Sequence, residues 1–202
     1  MTHSSKLLKQ LGHPRGLTGR LILRALNRMN AHMNDRALAA LDLQENDSVL
    51  EIGFGGGSLI DRILAKEQAT HVTGADISAL AVKSAKKRFQ KAPRAIFKHI
   101  DGDLLPFKDT IFTQVVGVNV IYFWPDVSIM LSEAFRVLAN ESKLVLCYSE
   151  QSPDEVTRFK HQDVELQLQT AGFKSAVSYK ETNKDNSTYY CTVALKSAFS
   201  PA

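Results

Sequence analysis

The segment VLEIGFGGGSLI, from Val49 to Ile60, constrains this chain more than any other. An apolar run of strand character ends at Gly53, glycine recurs at Gly55 and Gly57, and a helical pattern resumes at Leu59. Such a junction places bare backbone at the carboxyl end of a buried strand, which is where ligands sit in an open parallel sheet. Two common nucleotide signatures do not fit it. The dinucleotide pattern G-x-G-x-x-G meets Ser58 when counted from Gly53 and Ile60 when counted from Gly55, and no Gly-Lys-Ser/Thr follows as a phosphate P-loop requires.

Around this junction the hydrophobic period switches repeatedly between that of strands and that of helices. The pattern predicts strands from Ser48, over His71–Asp76, Ala95–Ile100, Gln114–Ile121, Lys143–Tyr148, Ser175–Tyr179 and Ser187–Lys196. Helices are predicted over Leu17–Met29, Asp35–Leu41, Leu59–Ala65, Ala79–Phe89, Val127–Leu138 and Asp154–Ala171, the last closed by Gly172 as its carboxyl-terminal cap. Strands alternating with helices imply an α/β fold: a Rossmann-like, doubly wound, seven-stranded sheet, mostly parallel, preceded by N-terminal helices. The short link between the final two strands makes the last one antiparallel.

At 202 residues with 44% hydrophobic content, one domain spanning 1–202 is expected, comprising an N-terminal helical arm or lid (1–42) and an α/β core (43–202). The longest apolar stretch, Val115 to Trp124, is half the roughly 20 residues of a membrane-spanning helix, and the first residues lack the apolar segment of a secretory signal. Cys147 and Cys191 stand far apart without the spacing of a metal or redox motif. These features point to a cytoplasmic protein with reduced thiols and no metal. Charge is uneven: residues 1–36 hold seven cations (Lys6, Lys9, Arg15, Arg20, Arg24, Arg28 and Arg36) against Asp35 alone.

The second predicted strand ends at Asp76, about 20 residues past the glycines, where an acidic side chain in such folds grips ribose hydroxyls. The third runs into Ile100-Asp101-Gly102-Asp103-Leu104-Leu105-Pro106-Phe107. In this ordered series the chain resembles the class I S-adenosylmethionine-dependent methyltransferases. It is most similar to the small-molecule group containing the ubiquinone/menaquinone C-methyltransferase-like (type 11) enzymes, over about residues 36–196. The resemblance implies S-adenosylmethionine as cofactor and S-adenosylhomocysteine as product. It implies that Gly53, Gly55 and Gly57 lie under the methionine part, that Glu51 holds the ammonium, that Asp76 accepts the ribose hydroxyls and that Ile77 packs on the adenine. The family pattern D-A-x-x-L-P-F maps onto Asp101 and Gly102 as adenine ligands, with Asp103 the rival if the loop is shortened; Asn119 would lie beside the methionine moiety. Asp76 read alone could equally cap the following helix, and Asn119 could equally satisfy loop backbone.

The chain departs from the family at two turns. Thr113-Gln114 stand where relatives carry Asp before the fourth strand, and Ala139-Asn140-Glu141-Ser142 replace a Pro-Gly-Gly before the fifth. Both put local turn geometry in question rather than the cofactor.

On the substrate side, Tyr122-Phe123-Trp124-Pro125-Asp126 follows the fourth strand, with Pro125 expected to open a helix. The three rings read as a pocket wall, or as core. The donor is already activated, so methyl transfer needs alignment and exclusion of water, and a general base only for some acceptors. His13, His32 and Tyr122 are the candidates, because the N-terminal segment and this loop face the substrate in the family. A small aromatic or lipidic acceptor is the expected substrate. The alternatives are RNA or protein methylation through the basic arm, and a non-catalytic module that binds the cofactor. Nucleic acid is disfavoured because no Asn-Pro-Pro-Tyr-type motif follows the fourth strand. The Arg20, Arg24 and Arg28 stripe leaves peripheral contact with anionic lipid open, beside the readings of lid and solvated face.

Overall fold

The computed structural model describes residues 28, 30–66, 70–100, 104–150, 159–182 and 187–197. The predicted helix over Leu17–Met29, His13 and the segment Asp101-Gly102-Asp103 lie outside the described residues, apart from exposed Arg28. In chain order the elements are α1 (Ala31–Leu41), β1 (Ser48–Ile52), α2 (Ser58–Leu64), β2 (His71–Asp76), α3 (Ala79–Arg88), β3 (Ala95–His99), β4 (Phe112–Val118), a single 3-10 turn (Ile121–Phe123), α4 (Val127–Val137), β5 (Leu138–Tyr148), α5 (His161–Thr170), β6 (Ser175–Thr182) and β7 (Thr188–Lys196).

The seven strands lie in the order β3-β2-β1-β4-β5-β7-β6. Strands β1 to β5 pair in parallel, and β7 runs antiparallel to both β5 and β6. The chain winds outward from β1 to β3 and then returns to place β4 on the other side of β1. The switch point, where helices diverge and a crevice opens, therefore falls between β1 and β4.

Alternating side chains divide the core into two layers. Val49, Val116, Val118, Val145 and Cys147 meet α1, α2 and α3 on one face. Leu50, Ile52, Val115, Leu144, Leu146 and Tyr148 meet α4 and α5 on the other. Among the described residues no helix is long and apolar enough to cross a membrane. Cys147 and Cys191, so distant in sequence, face each other in the β5–β7 register as buried free thiols.

Helix ends follow local chemistry. Ser78 caps α3 by accepting from the Ala81 amide, and Asp126 caps α4 by accepting from Ser128 and Ile129. Pro125 thus stands one residue outside the cap rather than opening the helix. After α5, Gly172 adopts φ +108° and the amides of Gly172 and Phe173 bond back to Gln169 and Leu168, the paired closure that the sequence anticipates there. A Cβ on Gly172 would also lie 3.0 Å from Phe135 Cζ.

Several boundaries differ from the periodicity. Strand β4 stops at Val118 instead of Ile121, because Asn119 turns to φ +54° and Ile121 enters the 3-10 turn. Helix α5 starts at His161; residues 154–158 of the predicted helix lie outside the described residues, and at Phe159 the amide bonds to the Glu150 carbonyl and the ring packs edge-on against Tyr122, contacts that a helix through Phe159 and Lys160 would break. Helix α1 starts four residues before Asp35. Finally, α4 passes straight into β5, where Ala139–Ser142 form an irregularity opposite Phe112–Gln114 with Glu141 at φ +58°. Lys196 closes this turn, its buried ammonium donating to the carbonyls of Phe135 and Leu138 at 2.7 Å each.

Thr113 and Gln114 also acquire a role. Their side chains donate to the two oxygens of buried Asp47 at 2.7 and 2.6 Å, while Thr113 Oγ1 accepts from the Ser48 amide. This network ties the starts of β1 and β4 together at the end of the sheet away from the crevice.

Candidate active site

The crevice is lined first by backbone. Gly53, Gly55 and Gly57 all adopt left-handed conformations, with φ of 74°, 51° and 72°. At Gly53 the reason is close approach: a Cβ there would lie 2.2 Å from Val120 Cγ2 on the loop after β4. The two strand ends that flank the switch point thus touch through a position only glycine can fill. The Gly53 amide donates to the Ala75 carbonyl at 2.7 Å, and Arg88 holds the loop from behind through the Gly56 carbonyl and an ion pair with Asp61.

Two acidic side chains meet this loop. Asp76, buried at the end of β2, accepts from the Gly55 amide at 2.8 Å and from the Ser78 amide at 2.7 Å. Its carboxylate is therefore locked onto the glycine turn, and the capping of α3 falls to Ser78. Glu51 is 3% exposed, and its Oε2 has no hydrogen-bond partner among the described residues. Burial, then the charges of Asp76 and Asp61, push its carboxyl well above the usual carboxylate range. A buried acceptor left without a donor is costly, and a cationic donor would satisfy it. Ile77 is half-buried, and its carbonyl lies 2.9 Å from His99 Nε2.

Beyond the segment Asp101-Gly102-Asp103, one pair holds the chain. Arg136 grips Glu133 through two bonds of 2.6 and 2.7 Å and donates to the carbonyls of Leu105 and Phe107, while Glu133 accepts from the Leu105 amide. The hydrogen bond from Arg136 keeps the Glu133 carboxyl below its ordinary range.

Across the crevice, Asn119 donates its amide to the Cys147 carbonyl at 2.7 Å and its side-chain Nδ2 to Asn30 Oδ1 at 3.1 Å. This bond brings the start of α1 to the end of β4, a contact the sequence does not signal. Tyr122 donates its hydroxyl to the Ser149 carbonyl and accepts from the Ser149 amide, both at 2.6 Å. Burial raises the Tyr122 hydroxyl above its ordinary value, so it keeps its proton and serves as a brace between the β4 and β5 loops. Phe123 is half-buried and edge-on to Tyr122; Trp124 is buried in the α4–α5 layer, its Nε1 without a partner among the described residues. His32 lies exposed on α1.

The structure therefore brings Glu51, Gly53, Gly55, Gly57 and Asp76 to one crevice with Asn119 on its opposite rim. Sequence reasoning missed Val120, Asn30, Phe159, and a contact between Glu150 and His161 at the end of β5, for which no spacing rule exists. Among the described residues no group of three or more His, Cys, Asp or Glu side chains could hold a metal ion.

A methyltransferase-domain family model matches residues 50–146, from β1 through most of β5. The chain is an S-adenosylmethionine-dependent methyltransferase. It is similar to the uncharacterized methyltransferase YdaC of Bacillus subtilis, 26% identical over 84% of this chain and 94% of that protein. It is also similar to 27-O-demethylrifamycin SV methyltransferase of Amycolatopsis mediterranei, 32% identical over 60% of this chain, though the match spans only 45% of that protein. Among solved structures, a SAM-dependent methyltransferase from Aquifex aeolicus shares the fold, with a TM-score of 0.70 at 18% identity, covering 96% of this chain and 98% of that one. The fit to S-adenosylmethionine rests on the unsatisfied Glu51 oxygen, which can receive an ammonium, and on the side-chain-free glycine turn beside it.

Proposed function

We propose that this methyltransferase acts on a small aromatic or lipidic acceptor by in-line displacement. When bound, S-adenosylmethionine supplies a methyl group already activated on a sulfonium, which leaves its carbon–sulfur electron pair on sulfur. The chain's own part is to bind, align and exclude water. Glu51 receives the ammonium, Gly53, Gly55 and Gly57 admit the methionine part against the backbone, and Asp76 accepts the ribose hydroxyls. Ile77 packs on the adenine, which Asp101 and Gly102 or, with a shortened loop, Asp103 hold by hydrogen bonds. Asn119 lies beside the methionine moiety, and Tyr122 and Phe123 form the acceptor-side wall, with Trp124 packed behind them in the α4–α5 layer rather than on the wall itself. We read residues 1–202 as one domain whose arm, 1–42, covers the acceptor.

The observation that carries this reading is the buried Glu51 carboxyl, its Oε2 without a hydrogen-bond partner among the described residues, beside the three left-handed glycines and Asp76. Similarity to a methyltransferase named for 27-O-demethylrifamycin SV supports a small-molecule acceptor. The test is calorimetric titration of the protein and an Asp76→Ala variant with S-adenosylmethionine and S-adenosylhomocysteine, with NADH as control. Saturable binding that the variant loses is expected; binding that survives the substitution would remove Asp76 from the site.

A further inference from the structure

We propose that His161, oriented by Glu150, is the base that takes the acceptor's proton, and that the acceptor presents a phenol-type hydroxyl; this rests on the methyl-transfer reading above. Glu150 follows β5 on the same rim as Asn119. The Asn119 amide bonds to the Cys147 carbonyl, Tyr122 bridges Ser149, and Glu150 is the next residue. Glu150 Oε1 lies 2.9 Å from His161 Nδ1 and accepts from the His161 backbone amide at 3.2 Å. The His161 ring stacks on Tyr190 at 4.5 Å with planes 10° apart, and Tyr190 faces Tyr148 across the β5–β7 register. The imidazole is thus held at three points: its backbone, its Nδ1 and its face.

That arrangement sets the tautomer. A carboxylate can only accept, so Nδ1 carries the hydrogen and Nε2 presents a lone pair. Nε2 bonds to none of the described residues, and the side chain stays 29% exposed. The hydrogen bond from His161 also keeps Glu150 ionised by holding its carboxyl below its ordinary range. A carboxylate behind an imidazole steadies the imidazolium that forms when the far nitrogen gains a proton, which is the physical basis of general-base dyads.

The same geometry narrows the acceptor. Among hydroxyl acceptors a phenol holds its proton less tightly than an alkyl alcohol, so transfer to an imidazole as the new bond forms is easiest from a phenol. Phe159, whose amide bonds to the Glu150 carbonyl, packs edge-on against Tyr122, and Tyr190 stacks on the imidazole, so aromatic rings surround the pair and suit an aromatic acceptor. In the step, the acceptor O–H proton passes to His161 Nε2, the freed oxygen pair bonds the methyl carbon, and the carbon–sulfur pair returns to sulfur. The imidazolium then releases the proton to water.

The test uses 4-nitrocatechol, whose phenolate absorbs visible light, added to the full chain with S-adenosylhomocysteine. We expect the ionisation constant of the bound probe to rise about tenfold in the wild type. The rise should vanish in His161→Gln and be reduced in Glu150→Gln, which keeps the contact but removes the charge. An equal rise in His161→Gln, or a probe that does not bind the wild-type complex, overturns the proposal. Calorimetry on the same samples separates the two layers: no S-adenosylhomocysteine binding overturns the methyl-transfer reading and this proposal with it. Should His161→Gln fail to fold, nitrogen-15 spectra of the wild-type imidazole decide. Nδ1 protonated and Nε2 bare, with the Nε2 resonance moving on addition of 4-nitrocatechol, supports the dyad; an unmoved Nε2 overturns it.

Discussion

The two halves of the rim at the carboxyl ends of the strands are built from different materials. On the β1–β2 side the surface is backbone, three left-handed glycines with two buried acids, of which Asp76 is bonded to the turn and Glu51 is left with an unsatisfied oxygen. On the β4–β5 side it is side chain: Tyr122 bridging to Ser149, Phe159 folded back on Tyr122, and His161 bonded to Glu150 through Nδ1 and stacked on Tyr190. Backbone that must approach a ligand admits few residue types, whereas a wall of side chains can be assembled in many ways. The difference teaches that the glycine half is constrained residue by residue, whereas the aromatic half is set by how its side chains pack.

The comparison breaks most visibly at Asp76. Asp76→Ala is expected to weaken S-adenosylhomocysteine about 10- to 100-fold, from the loss of charge-assisted hydrogen bonds of about 1.5–3 kcal/mol, measured by calorimetry. Next, Gly53→Ala should cost about 1–3 kcal/mol of stability in denaturant melts, through the strained φ and the approach to Val120. A melt matching wild type would show that the two rims are not packed against each other.

The buried glutamates Glu51 and Glu133 sharpen the contrast through pH. Glu51 is raised by burial, so above the ordinary glutamate value of 4.5 the folded protein binds more protons than the unfolded chain and loses stability as pH rises toward the raised value. Glu51→Gln should remove that loss while weakening S-adenosylhomocysteine about tenfold. Glu133 is lowered by Arg136, so its contribution is present above 4.5 and fades as pH falls below it. Opposite pH slopes for Glu51→Gln and Glu133→Gln, relative to wild type, are the expected melts; parallel slopes would refute the assignment of an unpartnered Glu51.

Tyr122→Phe keeps the ring and loses a hydroxyl that meets both polar groups of Ser149, so it should cost about 1 kcal/mol and leave S-adenosylhomocysteine binding unchanged. The smallest structural effect is expected from removing residues 1–30. The sheet should survive by circular dichroism while turnover weakens as the Asn30–Asn119 bond is lost; unchanged turnover would sink the idea of a covering arm.

Sequence by itself determined the alternation of elements, the glycine turn and the acids at the ends of β1 and β2, because each is dictated by neighbours a few residues away: a period of two or 3.6, a left-handed turn, a strand end. Gly172 was legible for the same reason. Only the tertiary structure decided that β4 ends at a left-handed Asn119 bonded to Asn30, that Phe159 leaves the helix to pack on Tyr122, and that Asp47 gathers Thr113 and Gln114. The dyad of Glu150 and His161, and the meeting of Cys147 with Cys191, belong to the same class. These partners are joined through loops or across strand registers, and the energy that selects them comes from burial and satisfied polar groups in the folded layers, which no local pattern encodes.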